Sequence, residues 1–213
     1  MNITLNKLQP LFLEKEKLAH SQIWLQELTF LPEQKIQIVA PSGSGKTSLI
    51  HFLYGMRTDF EGALLLNGIN TKNINAQALS NIRAIEMSIV FQDLRLFKTH
   101  TALENITVKK QLAEYNKSMP ITEMAAALGI ANKLEQPAGT CSFGEQQRIA
   151  IIRALQQPFS VIILDEPFSH LDEANSQKAM ALITQEANKR KASIILADLK
   201  ANPFFNADKI LFL

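Results

Sequence analysis

Ala40-Pro41-Ser42-Gly43-Ser44-Gly45-Lys46-Thr47 is the most informative segment of the chain. A β-branched run over 35–39 precedes it, and residues 48–54 follow it with apolar side chains at helical spacing. A strand, a small-residue loop and a helix in this order form the setting in which a P-loop cradles phosphate. A plain Gly/Ser turn before a helix is the alternative, and the Lys-Thr pair behind a strand argues against it.

The residue types in this loop each have a physical role. Gly43 and Gly45 let successive N–H groups point at one anion, and the helix N-terminus adds partial positive charge. Lys46 is expected to reach the β- and γ-phosphates of a nucleotide, and the Thr47 hydroxyl to ligate Mg²⁺. Ala40 stands where this pattern usually has Gly, which is acceptable if its φ is negative. The predicted phosphate-binding residues are Pro41, Ser42, Gly43, Ser44, Gly45, Lys46, Thr47 and Ser48.

Bulk composition narrows the class of protein. The chain has 213 residues, of which 46% are hydrophobic and 20% charged, as in an ordinary soluble globular domain. A net charge of +2 is too small to indicate a nucleic-acid partner. With Cys141 as the single cysteine no intrachain disulfide can form, which favours a reducing compartment. The chain lacks a signal-peptide pattern and an apolar run of about 20 residues, so we expect a cytoplasmic protein that reaches a membrane only through a partner.

Strand-length apolar runs alternate with helical patterns along the chain. Predicted strands cover 23–30, 35–39, 62–68 (ending in a turn), 87–91, 161–164, 193–197 and 210–213. Predicted helices cover 76–84, 143–156 and 173–189. This alternation implies a parallel α/β sheet with right-handed crossovers, and the continuous apolar runs suit strands buried on both faces.

Residues 93–140 have a different character. Thr101 and Glu104 have the spacing of a capping box that opens a helix. A second helix is predicted over 121–128, between Pro120 and Gly129. The sequence therefore predicts one domain over 1–213 with a helical subdomain inserted at about 93–140.

Three polar residues follow predicted strands. Asp165 and Glu166 come directly after the run 161–164, and Gln92 comes after 87–91. Ligands bind at the carboxyl edge of such sheets, so Asp165 is placed to hold Mg²⁺ and Glu166 to polarise an attacking water. Gln92 would be a neutral ligand to the metal or the water. An acidic turn is the alternative for Asp165 and Glu166, and a solvated strand end is the alternative for Gln92.

A second anion site is possible where the helix 143–156 begins. Ser142 is a natural N-cap, and its hydroxyl, the neighbouring N–H groups and Gly144 would face an anion. An ordinary capped helix is the alternative, and these residues alone do not exclude it.

The ensemble of motifs resembles the nucleotide-binding domain of ABC ATPases. The motifs follow one another in order at fitting distances: the P-loop, Gln92, Ser142-Phe143-Gly144-Glu145-Gln146-Gln147-Arg148, Asp165-Glu166 and Ser169-His170-Leu171-Asp172. The segments 91–97, 101–105 and 144–150 look most like the lipoprotein-releasing, macrolide-exporter and cell-division group. The resemblance implies a P-loop NTPase with a mainly parallel sheet flanked by helices, a small N-terminal antiparallel β subdomain and an inserted helical subdomain.

The resemblance also implies a mechanism with ATP and Mg²⁺. Two such domains would pack head to tail as a homo- or heterodimer, with the P-loop of one facing Ser142, Gly144 and Glu145 of the other. Glu166 and Gln92 would serve catalysis, Thr47, Gln92 and Asp165 the metal, and Asp172 communication across the interface. The helical subdomain would engage an integral membrane permease, which places the subunit at the inner face of the cell membrane.

Three positions depart from the family pattern. Cys141 stands where Leu is usual, Phe143 replaces a Gly, and Asp198 occupies the place of a histidine that hydrogen-bonds the γ-phosphate. A carboxylate about 4 Å from that phosphate would repel it by roughly 4 kcal/mol per unit charge at an effective dielectric of 20. Phe12 and Trp24 are candidates for stacking on adenine, with a core role favoured for Trp24.

Two functions therefore stay open. One is an ATPase subunit that powers a transporter or envelope complex. The other is a degenerate ATP-binding subunit with little hydrolysis, acting as the weak half of a heterodimer or as a slow regulatory switch. Chromosome and translation ABC proteins are disfavoured by the absence of a coiled-coil insertion and a second tandem domain in this sequence. A small-molecule P-loop kinase would not explain the segments 142–148 and 169–172.

Overall fold

The computed structural model describes residues 1–13, 18, 20–110 and 118–213. Its strands are β1 (Ile3–Pro10), β2 (Glu27–Phe30), β3 (Lys35–Val39), β4 (Phe60–Leu66), β5 (Ile69–Asn70), β6 (Met87–Val90), β7 (Val161–Asp165), β8 (Ser193–Asp198) and β9 (Lys209–Phe212). Its α-helices are α1 (Lys46–Leu53), α2 (Ala76–Ile85), α3 (Ala102–Lys110), α4 (Ile121–Ala127), α5 (Phe143–Leu155) and α6 (Glu173–Arg190).

The central sheet has five parallel strands in the order β6-β7-β8-β3-β9. Along β7, Val161 and Ile163 join one core cluster while Ile162 and Leu164 join the other. The strand is thus buried on both faces, as its uninterrupted apolar run predicts. The carboxyl ends of β3, β6, β7 and β8 all point to one edge, where the predicted site residues follow them.

A second, antiparallel sheet has the order β2-β1-β4-β5. It confirms the small N-terminal β layer, and with the parallel sheet it confirms the predicted fold class. The predicted strand over 23–30 is wrong for its first four residues. The Ser21 hydroxyl accepts hydrogen bonds from the N–H groups of Ile23 and Trp24, and Leu25 has φ 62°, so the chain turns there before β2 begins.

Residues 93–140 contribute α3 and α4, which pack against α5. The capping box is confirmed: Thr101 N–H donates to Glu104 Oε2 (2.7 Å) and Glu104 N–H donates to Thr101 Oγ1 (3.1 Å). Buried Asn105 donates to the carbonyls of Phe97 and Thr101, which fixes the chain leading into α3. Gly129, with φ 67°, follows the second predicted helix. Within the described ranges, no helix is long and apolar enough to cross a bilayer.

Candidate active site

The loop between β3 and α1 adopts positive φ angles at its two glycines, as the small-residue pattern predicts. Gly43 has φ 79° and Gly45, the N-cap of α1, has φ 91°. The positive φ favours glycine at position 45, and a Cβ there would in addition lie 2.7 Å from Leu13 Cδ1, so that the Leu13 side chain would have to move. Ala40 does not adopt a positive φ, and its N–H donates to the Asp198 carbonyl at 2.9 Å. Alanine is therefore accommodated at position 40.

Trp24 forms the floor of this loop. Its side chain is fully buried, and its indole Nε1 donates to the Ser44 carbonyl at 3.1 Å. Because the ring lies beneath the loop, Trp24 is a core residue and not a base-stacking aromatic. Phe12 is half exposed instead, and the Arg57 guanidinium lies 4.7 Å from its ring centroid.

A cavity of about 320 Å³ opens above the loop. Its walls are Phe12, Leu13, Pro41, Ser42, Gly43, Gly45, Lys46, Thr47, Ser48, Gln92, Glu166 and Leu199. Seven of the eight predicted P-loop residues are thus brought together with Gln92 and Glu166. Ser44 is the exception, because its N–H donates to the Pro41 carbonyl and its own carbonyl faces Trp24.

Lys46 sits between Asp165, which ends β7, and Glu166, which directly follows it. Its Nζ lies 2.5 Å from Asp165 Oδ1 and 2.8 Å from Glu166 Oε1, and all three side chains are buried. Burial alone would lower the pKa of Lys46, but the hydrogen bonds and charges of both carboxylates outweigh burial and raise it. Burial raises the pKa of Asp165, with the Glu166 charge adding to the effect and Lys46 opposing it. Two carboxylates share one ammonium group, so the cluster has a net negative charge when both carboxylates are ionised.

The predicted metal ligands lie around a neighbouring cavity of about 410 Å³. Thr47, Gln92 and Asp165 all line it, together with His51, Phe91, Asp93 and Arg95. A hydroxyl, an amide oxygen and one carboxylate fit Mg²⁺, which takes few protein oxygens and fills its octahedron with water and substrate phosphate. His51, one turn after Thr47 on α1, contributes an imidazole to this cavity. Burial, followed by the Arg95 charge, lowers its pKa.

Asp198 ends β8 beside the start of the P-loop. Its Oδ1 accepts a hydrogen bond from the Leu199 N–H at 2.7 Å, and Leu199 lines the 320 Å³ cavity. Burial raises the pKa of Asp198, and the charges of Glu166 and Asp165 act in the same direction. The Asp198 carboxyl therefore faces the N–H of the next residue, at a place where burial and the nearby carboxylates disfavour its ionised form.

The first turn of α5 does not contribute to the same chain's cavity. Ser142 and Glu145 form a reciprocal capping box, with Ser142 N–H donating to Glu145 Oε2 at 2.7 Å. Lys133 pairs with the same carboxylate at 3.3 Å. Asp172 caps α6 by accepting the Asn175 N–H at 2.8 Å, and this hydrogen bond leads the effects that lower its pKa. In the single chain the ordinary capped-helix interpretation thus describes Ser142.

Phe143 and Gly144 contact the loop that follows β7. The Phe143 ring is half exposed and packs on the exposed His170 ring, with centroids 4.3 Å apart. A Cβ on Gly144 would lie 2.9 Å from the His170 carbonyl oxygen, so glycine allows a close approach of the two backbones.

Gln147 is a residue that the sequence analysis did not single out. It is buried in α5, and its amide contacts Glu166, Ser169 and His170. A polar side chain on the apolar face of a helix was the signal, because such a group is buried only with hydrogen-bond partners.

Comparison with known proteins places these features in one family. The family model described as ABC transporter matches residues 26–169. An uncharacterised ABC transporter ATP-binding protein of Bacillus subtilis (strain 168), YvcR, is 30% identical, covering 100% of this chain and 84% of that protein. The lipoprotein-releasing system ATP-binding protein LolD of Legionella pneumophila (strain Lens) is 29% identical, covering 88% and 84%.

Solved structures agree in fold. The dimeric structure of MJ0796, a bacterial ABC transporter cassette, superposes with a TM-score of 0.84 at 23% identity, covering 99% of this chain and 94% of that one. A post-hydrolysis dimer of the same cassette with ADP and Pi superposes with a TM-score of 0.81. The P-loop cavity, the strand-end carboxylates and the family match together show that this chain belongs to the ABC transporter family as an ATP-binding cassette.

Proposed function

We propose that this chain is the ATP-hydrolysing subunit that powers a membrane ABC transporter or envelope complex through ATP-driven dimerisation. The observation that carries the proposal is the convergence of Lys46, Thr47, Gln92, Asp165 and Glu166 on the cavities above the P-loop. The relatives named as lipoprotein-releasing ATP-binding proteins support the same class of task.

In the proposed reaction the oxygen of a water attacks the γ-phosphorus of ATP, the bond from that phosphorus to the bridging oxygen breaks, and ADP and phosphate leave. Backbone N–H groups of the loop that follows Pro41 receive the phosphates at the N-terminus of α1. Lys46 exchanges its carboxylate partners for phosphate oxygens, and Glu166, freed from Lys46, accepts a proton from the attacking water. Mg²⁺, held by Thr47, Asp165 and Gln92, would neutralise charge on the phosphates. Phe12, half exposed at the cavity wall, is the candidate for stacking on adenine.

In the proposed dimer, the second half of each ATP site would come from another copy of this chain or from a related subunit. Ser142, Gly144 and Glu145 of that subunit would face the γ-phosphate, with Asp172 at the interface. An integral membrane permease would dock on the helical subdomain at about 93–140 and on Gln92, which would put this subunit at the inner face of the cell membrane.

Weak hydrolysis is the second candidate, and Asp198 favours it. The Asp198 carboxyl is near enough to Glu166 for their charges to interact, so its ionised form would add negative charge near the proposed position of the γ-phosphate. The half-exposed Phe143 ring would lie where the proposed partner approaches. In this alternative the subunit binds ATP and acts as the weak half of a heterodimer or as a slow switch.

An ATPase assay with and without Mg²⁺ separates the two candidates. The first predicts metal-dependent turnover that Glu166→Gln lowers by at least about 100-fold, the loss typical of a general base. The same variant should accumulate as a dimer when ATP is added, which size-exclusion chromatography detects. Tight ATP binding with negligible wild-type turnover favours the second candidate, and failure to bind ATP contradicts both.

A further inference from the structure

Gln147 is a buried amide on the second turn of α5, with 1% of its surface exposed. Its helix neighbours Ile149, Ala150 and Ile151 belong to the core. An amide in such surroundings costs free energy unless its donors and acceptor are paired. Its partners therefore explain why an amide occupies this position.

All three partners lie in the loop 166–170 that follows β7. Gln147 Nε2 donates to the Glu166 carbonyl at 3.2 Å and to Ser169 Oγ at 3.1 Å. Its Oε1 accepts the His170 N–H at 3.1 Å. One side chain of α5 thus satisfies polar groups at both ends of the loop.

Glu166 needs this support because its backbone is in an unfavourable region. It has φ 44°, the left-handed conformation that side-chain-bearing residues rarely adopt. Its N–H donates to the Ala197 carbonyl of β8 at 2.9 Å, and its carbonyl accepts from Gln147. Since φ and ψ set the direction of the Cα–Cβ bond, these two contacts set where the Glu166 carboxylate points.

The first turn of α5 touches the same loop at two further points. Phe143 packs on His170, and Gly144 lies against the His170 carbonyl. Of these contacts, the Gln147 amide is the one that reaches Glu166. A movement of this helix end would therefore be transmitted to Glu166 through Gln147.

We propose that Gln147 is a positioning residue that ties the orientation of Glu166 to the first turn of α5. The inference rests on the proposed function, in which a second subunit's nucleotide contacts Ser142 and Gly144. When the second subunit's nucleotide contacts the first turn of α5, Gln147 aligns Glu166 as the general base at the same time. Hydrolysis therefore follows assembly of the dimer.

The test compares Gln147→Leu, which removes every hydrogen bond, with Gln147→Glu, which keeps the size and the acceptor but loses the donor. Gln156→Leu is the matched control. Gln156 is also 1% exposed, adjoins the other end of α5, and its amide contacts Met124 Sδ. The control loses a buried amide of the same kind without touching the loop 166–170.

We expect both Gln147 variants to lower kcat by at least about tenfold, the scale of one to two lost hydrogen bonds. KM for ATP should stay within about threefold, because no P-loop group is removed. Gln156→Leu should lower the melting temperature about as much as Gln147→Leu and leave kcat near the wild-type value. A kcat loss in Gln147→Leu no larger than in Gln156→Leu overturns the inference.

Hydrogen exchange provides a readout that does not depend on turnover. In the wild type, ATP should protect amides at 142–145 and at 166–170 together. In Gln147→Leu, ATP should protect the amides at 142–145 but not those at 166–170. Wild-type protein that binds ATP but does not turn over contradicts the main proposed function and leaves this measurement valid. Joint protection of both segments in Gln147→Leu contradicts the role assigned to Gln147.

Discussion

The Phe143 ring lies on the His170 ring, with centroids 4.3 Å apart and planes inclined by 42°. This pair covers the point where α5 and the loop after β7 meet, and 52% of the Phe143 surface stays exposed. In the proposed dimer the pair would face the nucleotide of the second subunit, at a position where the family pattern has a glycine.

The first prediction concerns that ring. Replacing Phe143 by Gly should raise kcat several-fold and promote ATP-driven dimers of a Glu166→Gln background, because it removes bulk from the proposed contact face. Phe97→Gly is the matched control, since Phe97 is 54% exposed and lies on His100 with centroids 5.5 Å apart. Unchanged kcat and unchanged dimerisation in Phe143→Gly would show that the ring does not obstruct the site.

The second prediction restores the histidine of the family pattern. Asp198→His should raise kcat, because a hydrogen-bond donor replaces a group that repels phosphate by roughly 4 kcal/mol per unit charge in the fully charged, close-contact case. Steady-state kinetics with Asp198→Asn as comparison separates removal of charge from addition of an imidazole. If neither variant exceeds the wild type, Asp198 does not limit hydrolysis.

The third prediction is the pH dependence of stability at Asp198. Burial raises the pKa of this carboxyl, so the folded state binds its proton more tightly than the unfolded state, whose value is near 3.8. The folded state therefore becomes less stable relative to the unfolded state as pH rises from the unfolded pKa to the folded pKa of Asp198. Asp198→Asn should accordingly melt higher than the wild type at neutral pH, and the difference should shrink as pH falls toward 3.8. A melting difference that grows on acidification contradicts the raised pKa.

The fourth prediction concerns Glu186, which is fully buried on α6. Lys189 Nζ lies 2.8 Å from one carboxylate oxygen of Glu186, and Arg190 Nη1 lies 2.6 Å from the other. Glu186→Gln should destabilise the protein by about 3 kcal/mol, because removing one partner of a buried ion pair leaves an uncompensated charge. Denaturant unfolding measures the loss, with Glu173→Gln in the exposed first turn of the same helix as control.

Glu186 should also make the free energy of unfolding depend on pH in a distinct way. Burial alone would raise the pKa of Glu186, but the hydrogen bonds and charges of Lys189 and Arg190 outweigh burial and lower it below 4.5. Its contribution is present above the unfolded pKa and is lost as pH falls through the folded pKa. The stability gap between wild type and Glu186→Gln should therefore narrow in acid. A gap that stays constant down to pH 3 would mean that the carboxylate is not stabilised by these cations.

Local signals in the sequence explain which parts of the fold were predictable. The P-loop, the buried parallel strands and the two carboxylates at the end of β7 were predictable from short segments, because the chemistry of each is set by its neighbours in sequence. The turn at 23–26 was missed because the Ser21 hydroxyl outweighs the β-propensity of Ile23 and Trp24.

The candidate site was predictable where it depends on strand ends, and less so where it depends on contacts distant in sequence. Gln147 and Glu166 are 19 positions apart, and Trp24 and Ser44 are 20. No periodicity links such pairs. The inward turn of Ser44 likewise depends on a ring that reaches the loop from outside the P-loop motif.

Trp24 is the only tryptophan in the sequence, and its indole is hydrogen-bonded to the loop that would receive phosphate. Any rearrangement of that loop changes the environment of a single fluorophore. The protein therefore contains its own optical reporter, and the emission of unlabelled chain should follow nucleotide binding directly, without a contribution from another indole.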